Sequence, residues 1–86
     1  MIDLLAVEPE GIKMVDFILI ESSTSIKKIG YDSIENILYI QFTSGILYQY
    51  FNIPQEVFNE LSSTESCGKY FAENIKKIYK YERIGG

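Results

Sequence analysis

A chain of 86 residues with a net charge of −4, 47% hydrophobic and 23% charged residues has room for one domain with a modest core. Its aromatic content of 14%, from seven Tyr and five Phe, argues against an intrinsically disordered chain. The sequence has no His and one Cys, which excludes His-based nucleophilic catalysis, a zinc site built from His and Cys, and an internal disulfide.

The remaining chemistry favours a non-catalytic protein. No spacing of carboxylates marks an acid/base pair, and the sequence contains no motif for a cofactor or a metal. We therefore expect no enzyme activity, no cofactor and no metal. No apolar run approaches the ~18 residues of a membrane span, and the acidic start "MIDLLAVEPEG" is unlike a secretory signal. A cytoplasmic protein without a membrane partner is expected.

Residues 1–20 are interpreted as an N-terminal extension. Its apolar start is followed by "EPEG", which is typical of a turn, and then by the β-branched and long apolar residues of 12–20. This order predicts a β-hairpin, and a short helix over residues 1–8 is the alternative.

Three core strands are predicted next. Residues 24–31 and 37–42 are the first two, with a polar turn between them. The third strand follows "TSG" and ends at "FNIP". Alternation of apolar and polar residues in 37–42 favours strands with one buried face.

The register of the second hairpin follows from its loop. Gly45 can adopt a positive φ, which suits a loop of three residues. That loop places Ile40 opposite Tyr48. It also places Leu38 opposite Tyr50, so that the apolar residues of both strands share one face.

Two helices are predicted after the strands. Pro54 suits the first turn of one helix, and Ser66 suits the N-cap of a second helix that runs to about Lys80. Cys67 follows that cap. There the helix N-terminus would lower the pKa of a reactive thiol, or burial would make the residue a small hydrophobic one.

This order of elements indicates an α+β fold. It is an antiparallel β-meander of three core strands, preceded by the N-terminal hairpin, with two C-terminal helices packed on one face. In the second helix Phe71, Ile75 and Ile78 recur at i, i+4 and i+7, which predicts a core-facing stripe. Residues 84–86 are expected to form a flexible tail.

Four short motifs occur in order along residues 21–83. They are Ser-Ser, Ile-Gly-Tyr-Asp, Tyr-x-Tyr before Ile-Pro, and Ser-x-Gly-x-Tyr-Phe, at residues 22–23, 29–32, 48–54 and 66–71. In this order and spacing they resemble the KTSC domain, a short bacterial and phage domain that also occurs at the C-terminus of some lysyl-tRNA synthetases. The resemblance implies a stand-alone bacterial or phage module and, through the synthetase fusion, an RNA partner.

Charge is unevenly distributed along the chain. Residues 1–65 hold three Lys against ten Asp and Glu, a balance of −7, whereas residues 66–86 hold four Lys and one Arg against two Glu, a balance of +3. The basic end predicts contacts with RNA phosphates, and a solvated helix face is the alternative. Two lysines of the first core strand would extend the patch if that strand lies close. The nucleic-acid-binding candidates are Lys69, Lys76, Lys77, Lys80 and Arg83, together with Lys27 and Lys28.

Aromatic residues are a second set of candidate contacts. Tyr48 and Tyr50 are either a stacking platform for unpaired bases or core residues beneath the helices, and the register favours the core. The opposite sheet face would bind a protein partner or a second copy of the chain, unless residues 1–20 cover it. The partner-binding candidates there are Tyr39, Gln41, Gln49 and Phe51, of which the two aromatic residues are better placed for stacking. A protein-interaction or homo-oligomeric assembly protein is therefore the alternative to an RNA-binding module.

Overall fold

Five antiparallel strands and two helices make up the structure, a computed structural model that describes residues 15–85. In chain order the elements are β1 (Phe17–Leu19), β2 (Ile26–Asp32), β3 (Ile37–Phe42), β4 (Leu47–Tyr50), α1 (Gln55–Ser63), α2 (Cys67–Asn74) and β5 (Tyr81–Gly85). The strands form one sheet in the order β1-β2-β3-β4-β5. The predicted α+β meander with two helices is confirmed, and both helices are inserted between β4 and β5.

The β3–β4 hairpin has the predicted register. Tyr48 lies opposite Ile40. Tyr50 lies opposite Leu38. Gly45 has a φ of 98°, which L side chains rarely adopt, and nothing lies within 4 Å of the position that its Cβ would take. The backbone conformation, and not crowding, therefore requires glycine in this loop.

The core lies between one face of the sheet and the two helices. Phe58 of α1 stacks on Tyr31 of β2 with ring centroids 4.9 Å apart. Phe71 of α2 contacts the rings of Phe42 and Tyr50 at 5.7 and 5.4 Å. The buried apolar residues are Ile26, Ile29, Leu38, Ile40, Tyr50, Ile53, Leu61, Cys67, Phe71 and Ile75. Removal of these side chains from water is the main contribution that stabilises the domain.

The chain turns from β4 into α1 at a hinge held by the Tyr31 side chain. The Tyr31 hydroxyl donates a hydrogen bond to the Ile53 carbonyl and accepts one, at 2.8 Å, from the Asn36 side-chain amide. The Ile53 N–H in turn donates to the Asn36 carbonyl at 2.9 Å. Tyr31 thereby links the β2–β3 turn to the start of α1, where Pro54 is the N-cap residue.

The predicted second helix is too long. α2 ends at Asn74, and turns occupy residues 75–80 before β5 begins at Tyr81. At the end of the helix the Lys76 N–H bonds to the Phe71 carbonyl, five residues back, at 2.9 Å. This wider backbone turn is a common way for a helix to end.

The fifth strand, which the sequence did not predict, explains why the helix stops. As the chain reaches the edge of β4, the Phe51 N–H donates to the Lys80 carbonyl at 2.9 Å. Backbone groups in the interior of a helix are already bonded to one another, so the residues of β5 that pair with β4 must lie outside a helix. Ile78, which was predicted to face the core, is 65% exposed as a result.

The two ends of the chain are described to different extents. Of the predicted extension, residues 15–20 are described, and Phe17–Leu19 form β1, which pairs with β2. The hairpin or helix predicted over the first residues lies outside the described residues. At the other end Ile84 and Gly85 belong to β5, not to a tail, and residue 86 lies outside the described part.

Removal of the Tyr31 hydroxyl should destabilise the protein. Tyr31→Phe leaves the Ile53 carbonyl without its donor and the Asn36 amide without its acceptor, so we expect a loss of about 1–3 kcal/mol in the free energy of unfolding. Chemical denaturation followed by circular dichroism measures this loss. Tyr31→Leu also removes the ring that stacks on Phe58 and should cost more. Equal stability of Tyr31→Phe and the wild type would contradict the role of the hydroxyl.

Candidate nucleic-acid interface

Three of the predicted phosphate-binding lysines lie in residues 75–83, here termed the basic segment. Lys76, Lys77 and Lys80 are all exposed, and they extend from the turns between α2 and β5. The prediction that they line a helix face is therefore wrong, because the helix ends before them. Lys69 is exposed on α2 itself.

The other basic candidates lie on two strands that are not neighbours. Arg83 belongs to the basic segment, is exposed on β5 and pairs across the strands with Tyr48, so both side chains leave the same face of the sheet. Lys27 and Lys28 lie on β2, which β3 and β4 separate from β5. The Lys28 ammonium lies 4.7 Å from the centroid of the Phe17 ring, near the other edge of the sheet. The structure thus does not bring the two β2 lysines to the basic segment.

One tyrosine of the basic segment and two of the neighbouring β4 form what we term the aromatic corner: Tyr81, Tyr48 and Tyr50. Tyr81 opens β5 and is 56% exposed. Its ring centroid lies 5.4 Å from that of Tyr48, at an interplanar angle of 87°, and 5.3 Å from that of Tyr50, at 31°. Tyr50 is buried, as the register predicts, and Tyr48 is half-buried. Sequence reasoning missed Tyr81 because it placed this residue after a helix and predicted no strand there.

The opposite face of the sheet, here termed the outer face, is partly covered. Tyr39, Gln41 and Gln49 are half-buried on β3 and β4, and Phe51, which follows β4, is also half-buried. Phe17 of β1 packs on Tyr39 with ring centroids 6.2 Å apart. The N-terminal extension therefore covers part of this face through β1, which leaves less of it for a partner.

Serine and glycine residues of the motifs lie where the start of α2 approaches the loop before β2. Ser23 Oγ accepts hydrogen bonds from two backbone N–H groups, at 3.0 and 3.1 Å. A Cβ on Gly68 would lie 3.0 Å from Ser23 Oγ, so the absence of a side chain permits this close approach. Ser66 occupies the N-cap of α2 but makes no side-chain capping hydrogen bond within the described residues. Cys67 is buried, and burial raises the pKa of its thiol, which favours a structural role.

A shallow depression of about 230 Å³ lies at the hinge, lined by Asn36, Asn52, Ile53 and Pro54. Hydrogen bonds that hold the hinge already use polar groups of Asn36 and Ile53. Over residues 15–85, no group of three or more His, Cys, Asp and Glu side chains could hold a metal ion. In the same part of the chain no helix is long and apolar enough to cross a membrane.

Known proteins share this fold and part of this sequence. Residues 22–79 match the model of the KTSC domain. The chain belongs to the KTSC domain family. A KTSC domain protein from Yersinia pestis, solved as a crystal structure, has the same fold, with a TM-score of 0.79 and 30% identity over 84% of this chain and 100% of that one. An uncharacterised protein from Stutzerimonas stutzeri is 40% identical over 63 residues, which are 72% of this chain and 89% of that protein. The predicted resemblance is confirmed.

KTSC segments also occur within longer proteins. The lysine–tRNA ligase of Trichormus variabilis is 41% identical over 59 residues, which are 69% of this chain and 10% of the ligase. This KTSC chain thus corresponds to a small part of that enzyme. Tyr81 and Arg83 lie beyond the residues that the KTSC model matches.

Tyr50 should keep its proton at a pH where an exposed tyrosine loses it. Burial, followed by repulsion from Tyr81 and Tyr48, raises the pKa of Tyr50 from 10.0 to about 12. The pKa of Tyr50 is higher in the folded state than in the unfolded state, so its contribution to the free energy of unfolding is fully present below about pH 10. That contribution, roughly 1–3 kcal/mol, is lost as the pH rises through about 12. Chemical denaturation at a series of alkaline pH values measures the loss. Tyr50→Phe is the control, and an equally steep decline in that variant would contradict the assignment.

Proposed function

We propose that this KTSC domain is a non-catalytic RNA-binding module whose basic segment contacts phosphates. The observation that carries the proposal is the exposure of Lys76, Lys77 and Lys80 within one short connection. Four cationic side chains of the basic segment stand against one Glu, in a chain whose net charge is −4. Lysines that neutralise phosphates release counterions from the nucleic acid, which supplies affinity that does not depend on sequence.

Local charge, rather than net charge, governs such a contact. Charges further away than the Debye length, ~8–10 Å in physiological salt, are largely screened. The acidic balance of −7 comes from residues 1–65, whereas the balance of residues 66–86 is +3. The basic segment itself carries three Lys and one Arg against one Glu, so we expect an RNA strand that lies along it to meet a local excess of positive charge.

The relatives support RNA as the partner by association. A lysine–tRNA ligase acts on tRNA, and a segment similar to this chain makes up 10% of one such enzyme. A module that holds RNA suits that setting. The proposal for this chain rests on its own charges, since a shared domain does not by itself transfer a function.

The β5 edge of the described sheet favours self-association as a second candidate function. β5 is an edge strand of the described sheet, and residues 81–84 are exposed on it. Its outward backbone N–H and C=O groups are a template for pairing with another strand. The partner in this case would be a second copy of the chain, with the outer face beside the contact.

Charge reversal in the basic segment should weaken RNA binding. Lys76→Glu combined with Lys77→Glu removes two phosphate contacts. We expect about tenfold weaker binding at low salt, and a salt dependence shallower by about 1.4, because each contact on a single strand contributes ~0.7 to the slope. Fluorescence anisotropy of a short labelled single-stranded RNA over a series of salt concentrations measures both quantities.

A matched control changes the net charge by the same amount near the opposite edge of the sheet. Lys27→Glu combined with Lys28→Glu alters two adjacent lysines on β2 and should bind RNA nearly as the wild type does. Equal weakening by both double variants would indicate an effect of net charge alone. A wild-type protein that fails to bind RNA at low salt would refute the proposal.

If β5 pairs with a second copy, the molecular mass should rise towards that of a dimer with increasing concentration. Ile84→Lys places a charge on the edge strand and should keep the protein monomeric. Light scattering over a concentration series measures the mass, and Phe51→Ser tests the outer face in the same way. A wild-type protein that stays monomeric at every concentration would rule out this candidate.

A further inference from the structure

The aromatic corner is not explained by phosphate contacts. Tyr81 lies at a tilt of 31° over buried Tyr50, with ring centroids 5.3 Å apart, so the core supports one side of its ring. More than half of Tyr81 is exposed, so part of the side chain remains accessible to a ligand. The Tyr48 ring stands at 87° to it, 5.4 Å away. The two nearly perpendicular rings are surfaces against which one planar group can pack.

The Tyr81 ring is linked to the core through the aromatic rings that it contacts. Tyr50, beneath it, contacts the Phe71 ring of α2 at 5.4 Å, and Tyr48 contacts Phe42 at 5.6 Å. These edge-to-face contacts connect the exposed ring to the core. A rigid aromatic surface loses little conformational entropy when a ligand stacks on it.

The charge around the aromatic corner decides which ligand fits. Near-perpendicular aromatic rings can also bind a quaternary ammonium group through cation–π interactions. Lys80 directly precedes Tyr81 in the chain, and Arg83 lies opposite Tyr48 across the strands, so a cationic ligand would meet like charges. A planar group attached to an anion suits both the rings and the charges, and a nucleobase with its phosphate has that chemistry.

We propose that the aromatic corner binds one unpaired base of a single-stranded RNA, stacked on the exposed part of the Tyr81 ring. This inference rests on the proposed function and deepens it. The basic segment holds the strand through its phosphates, and the aromatic corner requires a base that is free of a duplex. The domain then prefers single strands to duplexes, which phosphate contacts alone would not produce.

The experiment separates stacking from phosphate contact by using two strands of equal length. Anisotropy is measured with a short labelled oligouridylate and with an abasic ribose-phosphate strand. The wild type should bind the oligouridylate about tenfold more tightly, the effect of one base–aromatic stack. Tyr81→Ala should lose this preference and retain its affinity for the abasic strand. Tyr81→Phe keeps the ring and should keep the preference.

Two further variants make the test specific. Tyr39→Ala is the same substitution on the outer face and should leave the preference intact. Lys76→Glu combined with Lys77→Glu should weaken binding of both strands by the same factor. Tyrosine fluorescence is a second readout because the chain has no Trp, and the oligouridylate should quench it less in Tyr81→Ala.

The possible failures are distinguishable. Equal binding of both strands by the wild type, or an unchanged preference in Tyr81→Ala, overturns the stacking site and leaves the basic segment in place. If Tyr39→Ala loses the preference and Tyr81→Ala keeps it, the stacking site at Tyr81 is overturned. If polyglutamate binds as tightly as the oligouridylate, the partner is an acidic protein and both proposals are overturned. Failure of the wild type to bind either strand also overturns both proposals. Circular dichroism and light scattering check each variant, and Tyr81→Leu replaces Tyr81→Ala if that variant unfolds.

Discussion

The pairing of β3 with β4 is the constraint on which the rest of the structure depends. The left-handed Gly45 closes a loop that sets Ile40 opposite Tyr48, and the apolar residues of both strands then share the face under the helices. A slip of one residue would turn Tyr50 away from the Phe71 ring of α2, 5.4 Å from it. The position of the second helix therefore follows from a turn more than twenty residues earlier in the chain.

That register also determines where the proposed RNA site lies. Because Tyr48 and Tyr50 point to the helix face, pairing of β5 with β4 brings Tyr81 and Arg83 onto the same face. The chain leaves α2 early to reach this edge, and its lysines become an exposed connection in residues 75–80. One set of backbone hydrogen bonds thus creates both the basic segment and the aromatic corner.

The motifs that identify the family act within the fold. Tyr31 bonds to Ile53 at the hinge, and Ser23 lies against Gly68 at the start of α2. Each pair brings together segments that are far apart in the sequence. Tyr48 and Tyr50 of the aromatic corner lie within the matched residues 22–79, whereas Tyr81, on which the base would stack, lies beyond them.

Local signals in the sequence were sufficient for the hairpin and the fold class. Alternating apolar residues and a glycine able to adopt positive φ act over a few residues, so the β3–β4 register and the burial of Tyr50 could be predicted. Similarly, Pro54 marked the start of α1 because its effect on the backbone is local. The outer face was only partly predictable, since its cover by Phe17 depends on which strand lies at the sheet edge.

The end of α2 and the composition of the candidate site were set by contacts between distant segments. The helical spacing of Phe71, Ile75 and Ile78 gives no sign that the helix stops, because the competing hydrogen bonds come from the edge of β4. Strand order likewise separates Lys28 from the basic segment, although both are basic in sequence. Periodicity reports which side of one element is apolar, whereas pairing between elements decides which side chains meet. Tyr81 joins the aromatic corner for that reason alone.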